Sequence, residues 1–214
     1  MRITVFGAAG NAGSRVVAEA LSRGHEVTAV VRDAARFTEL HPDAMHRTGD
    51  AGIPDDVRKV SEGQDLVVNA TRPAPGREHE HPVITTSLLT GLAGTGIRLL
   101  VIGGAGSLTV PGTAGRAAID DPRYVPAAWR HIAAASNAQY DAVRTTETDV
   151  PWTYLSPSAL FEPGARTGTF RLGKDELLVD AAGNSSISME DLAIALLDEA
   201  ERPAHHRGRF TVGY

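Results

Sequence analysis

The densest chemical signal in the chain is Gly7-Ala8-Ala9-Gly10-Asn11-Ala12-Gly13. Three glycines at this spacing can do three jobs between a strand and a helix. Gly7 allows a tight turn, Gly10 lets backbone come close to a pyrophosphate, and Gly13 lets the helix pack against the strand. Ala9, Asn11 and Ala12 supply the backbone between them. The first turn of the following helix would add unpaired N–H groups and the positive end of its dipole. With a strand before it and a helix after it, the loop is a dinucleotide-binding fingerprint; without that context it is only a tight turn.

Other candidate ligand contacts follow from the rule that such sites lie beyond the carboxyl ends of parallel strands. The second apolar run ends Val30-Val31-Arg32-Asp33. Arg32 would grip a ribose 2′-phosphate through its planar fork, which favours NADPH. Asp33 keeps NADH open, because a one-residue change of register exchanges the two roles. Asp50 is placed to accept from an adenine amino group. Asn69, Ala70 and Thr71 are expected to line the adenosine–ribose side. Gly103, Gly104 and Ala105 are expected to bring backbone close to the nicotinamide ribose, and Pro157-Ser158-Ala159 to face the nicotinamide pocket.

Composition narrows the chemistry further. The 214 residues contain no cysteine, which excludes disulfides, a thiolate nucleophile, iron–sulfur ligation and any cysteine-held zinc. Lys59 and Lys174 are the only lysines; the other 19 of 21 basic residues are arginines. A net charge of −5 with scattered arginines argues against a nucleic-acid surface. No apolar run approaches the roughly 18–20 residues of a membrane span. The first residues lead straight into a strand pattern with no signal-peptide regions. The expectation is a cytoplasmic protein, monomeric or homodimeric, that acts on a small molecule.

The elements that would position these residues alternate. Strands are expected at Ile3–Phe6, Val27–Val31, Ala44–Thr48, Asp65–Ala70, Leu99–Ile102, Trp152–Ser156 and Arg209–Val212. Helices are expected at Asn11–Ser22, Pro82–Ala93 and Ala127–Thr146, with a capping box at Ser188-Met189-Glu190-Asp191 opening another through Leu197. Continuous apolar strands separated by helices imply a parallel sheet covered on both faces, a Rossmann-type doubly wound α/β fold. Ser107–Pro126 is a long Gly- and Pro-rich loop, expected to be a cover or a mobile segment. Gly164–Asp180 suggests an extended excursion. The whole is expected to be one NAD(P)-binding domain, 1–214, with residues from about 157 to 190 forming a small elaboration on the substrate side.

Together the glycine loop, Val101-Ile102-Gly103-Gly104-Ala105-Gly106-Ser107-Leu108, Trp152-Thr153-Tyr154-Leu155-Ser156-Pro157 and Phe161-Glu162-Pro163-Gly164 resemble the atypical short-chain dehydrogenase/reductases. Ile187-Ser188-Met189-Glu190-Asp191-Leu192-Ala193 and the closing Phe210-Thr211-Val212-Gly213-Tyr214 extend the likeness. The nearest branch is that of the NADH-flavin reductases and NAD(P)H-binding proteins. The resemblance implies a Rossmann fold, NAD(P)H binding and, in some members, reduction of flavins, quinones or related acceptors. It also implies that Ser107, just beyond the glycines, occupies the place of the superfamily's catalytic serine and donates to the acceptor.

The chain departs from the wider superfamily in lacking its Tyr-x-x-x-Lys pair. Counting back from Trp152-Thr153 places the two positions near Ile132 and Ser136. Tyr140 and Arg144 have i, i+4 spacing, but arginine cannot relay a proton, so they are expected to be a helix-face pair. Epimerisation and alcohol oxidation need a base near the reacting hydroxyl. Hydride transfer to a flavin or quinone does not, because the acceptor is electrophilic and solvent supplies the proton. The expected function is therefore an NAD(P)H-dependent reductase. The alternatives are a non-catalytic NAD(P) sensor and, less favoured, an NAD(P)-dependent isomerase or dehydratase. No metal is expected: Glu78, His79, Glu80 and His81 read as a solvated loop, His205-His206 as a surface turn and His131 as structural. Tyr124 and Trp129 are placed to stack on a planar acceptor or to pack the long loop.

Overall fold

Ile3–Phe6, Val27–Val31, Leu66–Asn69, Leu99–Ile102 and Trp152–Ser156 become strands covered on both faces, which is why these runs are continuous and not alternating, whereas Met45–Thr48 at the sheet edge is largely exposed. The computed structural model describes residues 1–214. In chain order the elements are β1 (Arg2–Phe6), α1 (Asn11–Ser22), β2 (Glu26–Val31), β3 (Met45–Thr48), α2 (Pro54–Ser61) and β4 (Leu66–Asn69). They continue with α3 (Glu80–Leu92), β5 (Arg98–Ile102), α4 (Arg130–Thr145), β6 (Trp152–Ser156), β7 (Leu160–Glu162) and β8 (Arg171–Gly173). The last are β9 (Ser186–Ser188), α5 (Met189–Glu201) and β10 (Gly208–Gly213).

The main sheet has the order β3-β2-β1-β4-β5-β6-β10-β8, parallel throughout except for the antiparallel edge strand β8. The order reverses direction between β1 and β4, so the crevice for a ligand opens there. Side-chain parity divides the core. Ile3, Val5, Leu100 and Ile102 pack beneath α1 and α5. Val67, Leu99, Val101 and Tyr154 pack beneath α2, α3 and α4. No helix is long and apolar enough to cross a membrane.

Several local expectations change. Only Ala34–Glu39, a 3-10 turn, lies in the link between β2 and β3. Residues 54–61 form α2, too short and polar to show as a periodic apolar stripe; Pro54 in its first turn and Asp55 and Asp56 beside the helix dipole stabilise it. Helix α4 begins at Arg130, after a 3-10 turn at Ala127–Trp129. Ser188 does cap its helix: its side chain accepts from the Asp191 amide at 3.0 Å. The helix then runs four residues past Leu197, to Glu201.

The long segment 107–126 is a packed cover. Leu108, Val110, Ala118, Tyr124 and Val125 bury an apolar cluster of their own with Leu177. Thr109 bridges to both Ala117 and Glu176, and the Tyr124 hydroxyl donates to the Gly183 carbonyl at 3.1 Å. Residues 157–190 lie on the same side of the sheet. They contribute β8 to the main sheet and pair β7 with β9 in a separate two-stranded sheet.

Candidate functional site

The glycine loop joins β1 to α1, and each glycine is needed for a different reason. Gly7 has φ +80°, a conformation that other residues avoid, and a Cβ there would lie 2.5 Å from the Ala70 carbonyl oxygen. A Cβ on Gly13 would lie 2.1 Å from the Gly7 carbonyl oxygen, so the helix can approach the strand this closely only with glycine. Gly10 is less confined, at 3.1 Å from the same oxygen, and its face opens on a cavity. Helix α1 starts with no side-chain cap and no acidic residue in its first turn. Its leading N–H groups and dipole therefore have no anionic partner within the chain, which fits a bound pyrophosphate.

That cavity, of about 1240 Å³, runs along the carboxyl ends of β1 to β6. At the end nearest the glycine loop are Arg32, Asp50, Ala70 and Thr71, together with Ala9, Asn11 and Ala12 of the loop. Arg32 is exposed and makes no ion pair, whereas the Asp33 carboxylate is engaged in accepting from the Ala35 amide at 2.9 Å. Arg36 also lines the cavity and lies 3.4 Å from the Ala9 carbonyl, although Glu39 holds its guanidinium. The sequence pattern did not single it out, because it is five residues beyond the strand end. One oxygen of Asp50 accepts from Gly52 N at 2.8 Å, forming an Asx turn.

Asn69 does not line the cavity. It is fully buried, and its amide oxygen holds Thr71 through both the backbone N–H (3.1 Å) and the hydroxyl (2.7 Å). It shapes the turn that presents Ala70 and Thr71.

The other end is built from β5, β6 and α4. Gly103, Gly104, Ala105 and Pro157 line the cavity, and packing within the chain also requires glycine at 103 and 104. A Cβ on Gly103 would lie 1.9 Å from Tyr154 Cζ, and one on Gly104 would lie 2.7 Å from Ser136 Cβ. The wholly buried Tyr154 hydroxyl donates to the Ser136 carbonyl at 3.0 Å and accepts from Gly104 N at 3.3 Å. Ser107 is not in the cavity. Its Oγ accepts from Arg209 Nη1 at 2.7 Å, and Arg209 is tied in turn to Asp175. The expected acceptor-facing role of Ser107 is therefore withdrawn. Ile132 and Ser136, the two positions found by counting, do line the cavity. Ser136 Oγ has no hydrogen-bond partner in the chain, so it is a free hydroxyl beside Gly104 and Ile132.

Tyr140 lies outside the cavity. Arg209 sits over its ring at 4.4 Å, closer than Arg144 at 6.0 Å, and Arg144 pairs with Asp141. Neither lysine reaches the cavity. His205 is not a surface turn: it bonds Glu199 at 2.8 Å and stacks on Phe210.

His81 corrects the reading of residues 78–81 as solvated loop. Helix α3 starts at Glu80, so His81 is turned inward and lines the cavity at 7% exposure, with Nδ1 unpartnered. Pro82, taken as the helix start, occupies its third position. No group of side chains here could hold a metal. Burial, reinforced by the Arg72 guanidinium, pushes the His81 imidazole down to about 4. An ordinary histidine titrates near 6.5. Between these values the unfolded chain binds a proton that the folded chain refuses, so stability falls as pH drops through this window. The Tm advantage of the wild type over His81→Asn is expected to shrink from pH 7 to pH 4. A constant difference in thermal melts would contradict it.

Comparison with known proteins agrees with this geometry. The NAD(P)H-binding family model matches residues 7–203. YwnB of Bacillus subtilis is 40% identical over 215 residues, covering 99% of this chain and 98% of its own. A Bacteroides thetaiotaomicron structure provisionally named an epimerase superposes with a TM-score of 0.88 at 38% identity, covering 100% of this chain and 96% of that one. A Streptococcus pneumoniae structure provisionally named an NADH-flavin reductase gives 0.87 at 33%, covering 100% and 99%. The chain belongs to the NAD(P)H-binding family and has its Rossmann-type fold.

Proposed function

We propose that the protein is an NADPH-dependent reductase of planar flavin- or quinone-like acceptors. The observation that carries this reading is the continuation of the cavity past Gly104 to Ser136, Ile132 and Trp129. Pockets for one small ligand span about 300–1,000 Å³. A cavity of about 1240 Å³ has room for a dinucleotide and a second planar molecule beside it.

The chain's own residues divide the work. The glycine loop and the start of α1 hold the pyrophosphate, and Arg32 holds the 2′-phosphate, with Asp33 occupied as a cap. A bound reduced nicotinamide supplies a hydride. Ile132, Ala133 and Pro157 form walls that orient the acceptor and limit water, and Ser136 Oγ donates to an acceptor carbonyl. The acceptor gains the hydride and one solvent proton, a two-electron reduction that needs no protein base. Epimerisation needs such a base, and Ile132 offers none. A sensor without turnover has no use for an open cavity beyond the cofactor.

Steady-state NADPH oxidation against FMN, riboflavin and menadione tests the proposal. Turnover of at least one is expected; tight NADPH binding with no turnover would support the sensor. Arg32→Ala is expected to lower the NADPH-over-NADH preference in kcat/KM about tenfold, since charge-assisted bonds to phosphate are lost. Equal losses on both cofactors would remove the 2′-phosphate role.

A further inference from the structure

Four arginines line the cavity, and their partners set them apart. Arg36 is neutralised by Glu39, and Arg123 lies 3.5 Å from the Asp121 carboxylate. Arg32 and Arg72 make no ion pair or hydrogen bond within the chain. Arg32 is accounted for above. Arg72 follows β4 and lies on the other side of β1 from Arg32. Its guanidinium carbon sits 6.0 Å from the centre of the Trp129 ring, and Trp129 is 55% exposed at the cavity wall. A guanidinium within about 6 Å of an indole is drawn to the ring face, so the two side chains lie side by side at the cavity wall.

The same residues open a second space. Arg72, Pro73, His81, Trp129 and Ile132 line both the main cavity and an adjoining one of about 670 Å³. Ile132 fixes where the two meet: beside Ser136, at the acceptor end and away from the pyrophosphate loop. Glu78 is the one carboxylate on the second cavity, and it is already engaged by the Gly76 amide at 2.9 Å and by His131 at 3.5 Å. The buried Nδ1 of His81 has no protein partner. Arg72 is the one guanidinium on the second cavity, with the flat indole of Trp129 beneath it.

We propose that Arg72 and Trp129 form an anion-selective acceptor subsite, so that the preferred acceptor is a planar ring system bearing a phosphate or carboxylate. The ring stacks on Trp129, and the guanidinium pairs with the anionic group in the side cavity. This rests on the reductase reading but is testable without turnover.

The measurement is quenching of flavin fluorescence by NADP⁺-saturated protein, with FMN and riboflavin as a pair differing by one phosphate. Anthraquinone-2-carboxylate and 2-(hydroxymethyl)anthraquinone, followed by tryptophan quenching, form the carboxylate pair. The anionic member of at least one pair is expected to bind about tenfold more tightly, and which pair responds identifies the anion. Arg72→Gln, at an exposed side chain, is expected to erase that preference, and Trp129→Leu to weaken both members of the pair. Equal affinity within both pairs overturns the proposal, as does a preference that survives Arg72→Gln. A loss of NADP⁺ affinity in Arg72→Gln matching the loss for the anion also overturns it, because Arg72 would then serve the dinucleotide. Arg72-dependent anion binding with no NADPH oxidation defeats only the reductase reading. Turnover of neutral acceptors without anion preference defeats only the subsite.

Discussion

Gly10→Ala and Gly13→Ala are both expected to abolish tight NADPH binding, but only Gly13→Ala lowers Tm. At Gly13 the new methyl would lie 2.1 Å from the Gly7 carbonyl oxygen and 2.8 Å from its carbon, inside any permitted contact. Those atoms are backbone and cannot swing aside, so α1 must move off β1. Forced overpacking of this kind costs about 1–3 kcal/mol. For a chain of this size each kcal/mol lowers Tm by about 2–4 °C. The helix start, which presents the N–H groups to the pyrophosphate, moves with it. At Gly10 the methyl meets the same oxygen at 3.1 Å, a contact relieved by a few tenths of an ångström, and its remaining surroundings are open cavity. The fold absorbs that change, while the methyl occupies the space that a phosphate needs. Isothermal titration with NADPH and thermal melts on the two variants separate these effects. Retained NADPH affinity in Gly10→Ala would show that the dinucleotide does not approach the loop there.

The same loop shows why much of the molecule was legible from sequence. A parallel strand is covered on both faces, so Leu66-Val67-Val68 and Leu99-Leu100-Val101-Ile102 announce themselves as unbroken apolar runs. The glycine spacing fixes the first crossover, and the rest of the topology follows from handedness. The failures have separate causes, one of them a partner remote in sequence. Ser107 follows the glycines in the chain, yet Arg209, 102 residues on, draws it away from the cavity. His81 lies in a polar stretch before a proline, and polarity alone suggested solvent. Its inward direction follows from α3 starting two residues before the proline. Asn69 sits at a strand end where a ligand contact is plausible, but it is buried, off the cavity wall, and its amide oxygen is spent on Thr71. Ile132 and Ser136 follow from counting back from Trp152-Thr153 on the next strand, because the link from α4 to β6 is short and the count needs no long-range information.

Gly103→Ala is expected to be the most damaging single methyl in the acceptor half of the molecule. Its Cβ would lie 1.9 Å from Tyr154 Cζ and 2.1 Å from the hydroxyl oxygen. Tyr154 cannot retreat: it is fully buried, its ring packs against Tyr140 at 4.9 Å, and its hydroxyl joins Ser136 on α4 to Gly104 on the cavity wall. Displacing the ring adds about 1–3 kcal/mol of overpacking to about 1–3 kcal/mol for buried hydrogen bonds left unmade. Both Ser136 and Gly104 line the cavity where the acceptor is proposed to bind, so turnover should fall along with stability. The cause can be isolated by a double-mutant cycle. Tyr154→Leu alone removes buried ring and costs about 2–5 kcal/mol as a large-to-small core change. It also empties the space that a methyl on residue 103 would enter. The double variant should therefore be more stable than the sum of the single losses predicts, by about 1 kcal/mol or more in urea unfolding. Strict additivity would mean that Tyr154 is not what requires glycine at 103, and would return that glycine to the role of close approach to the nicotinamide ribose.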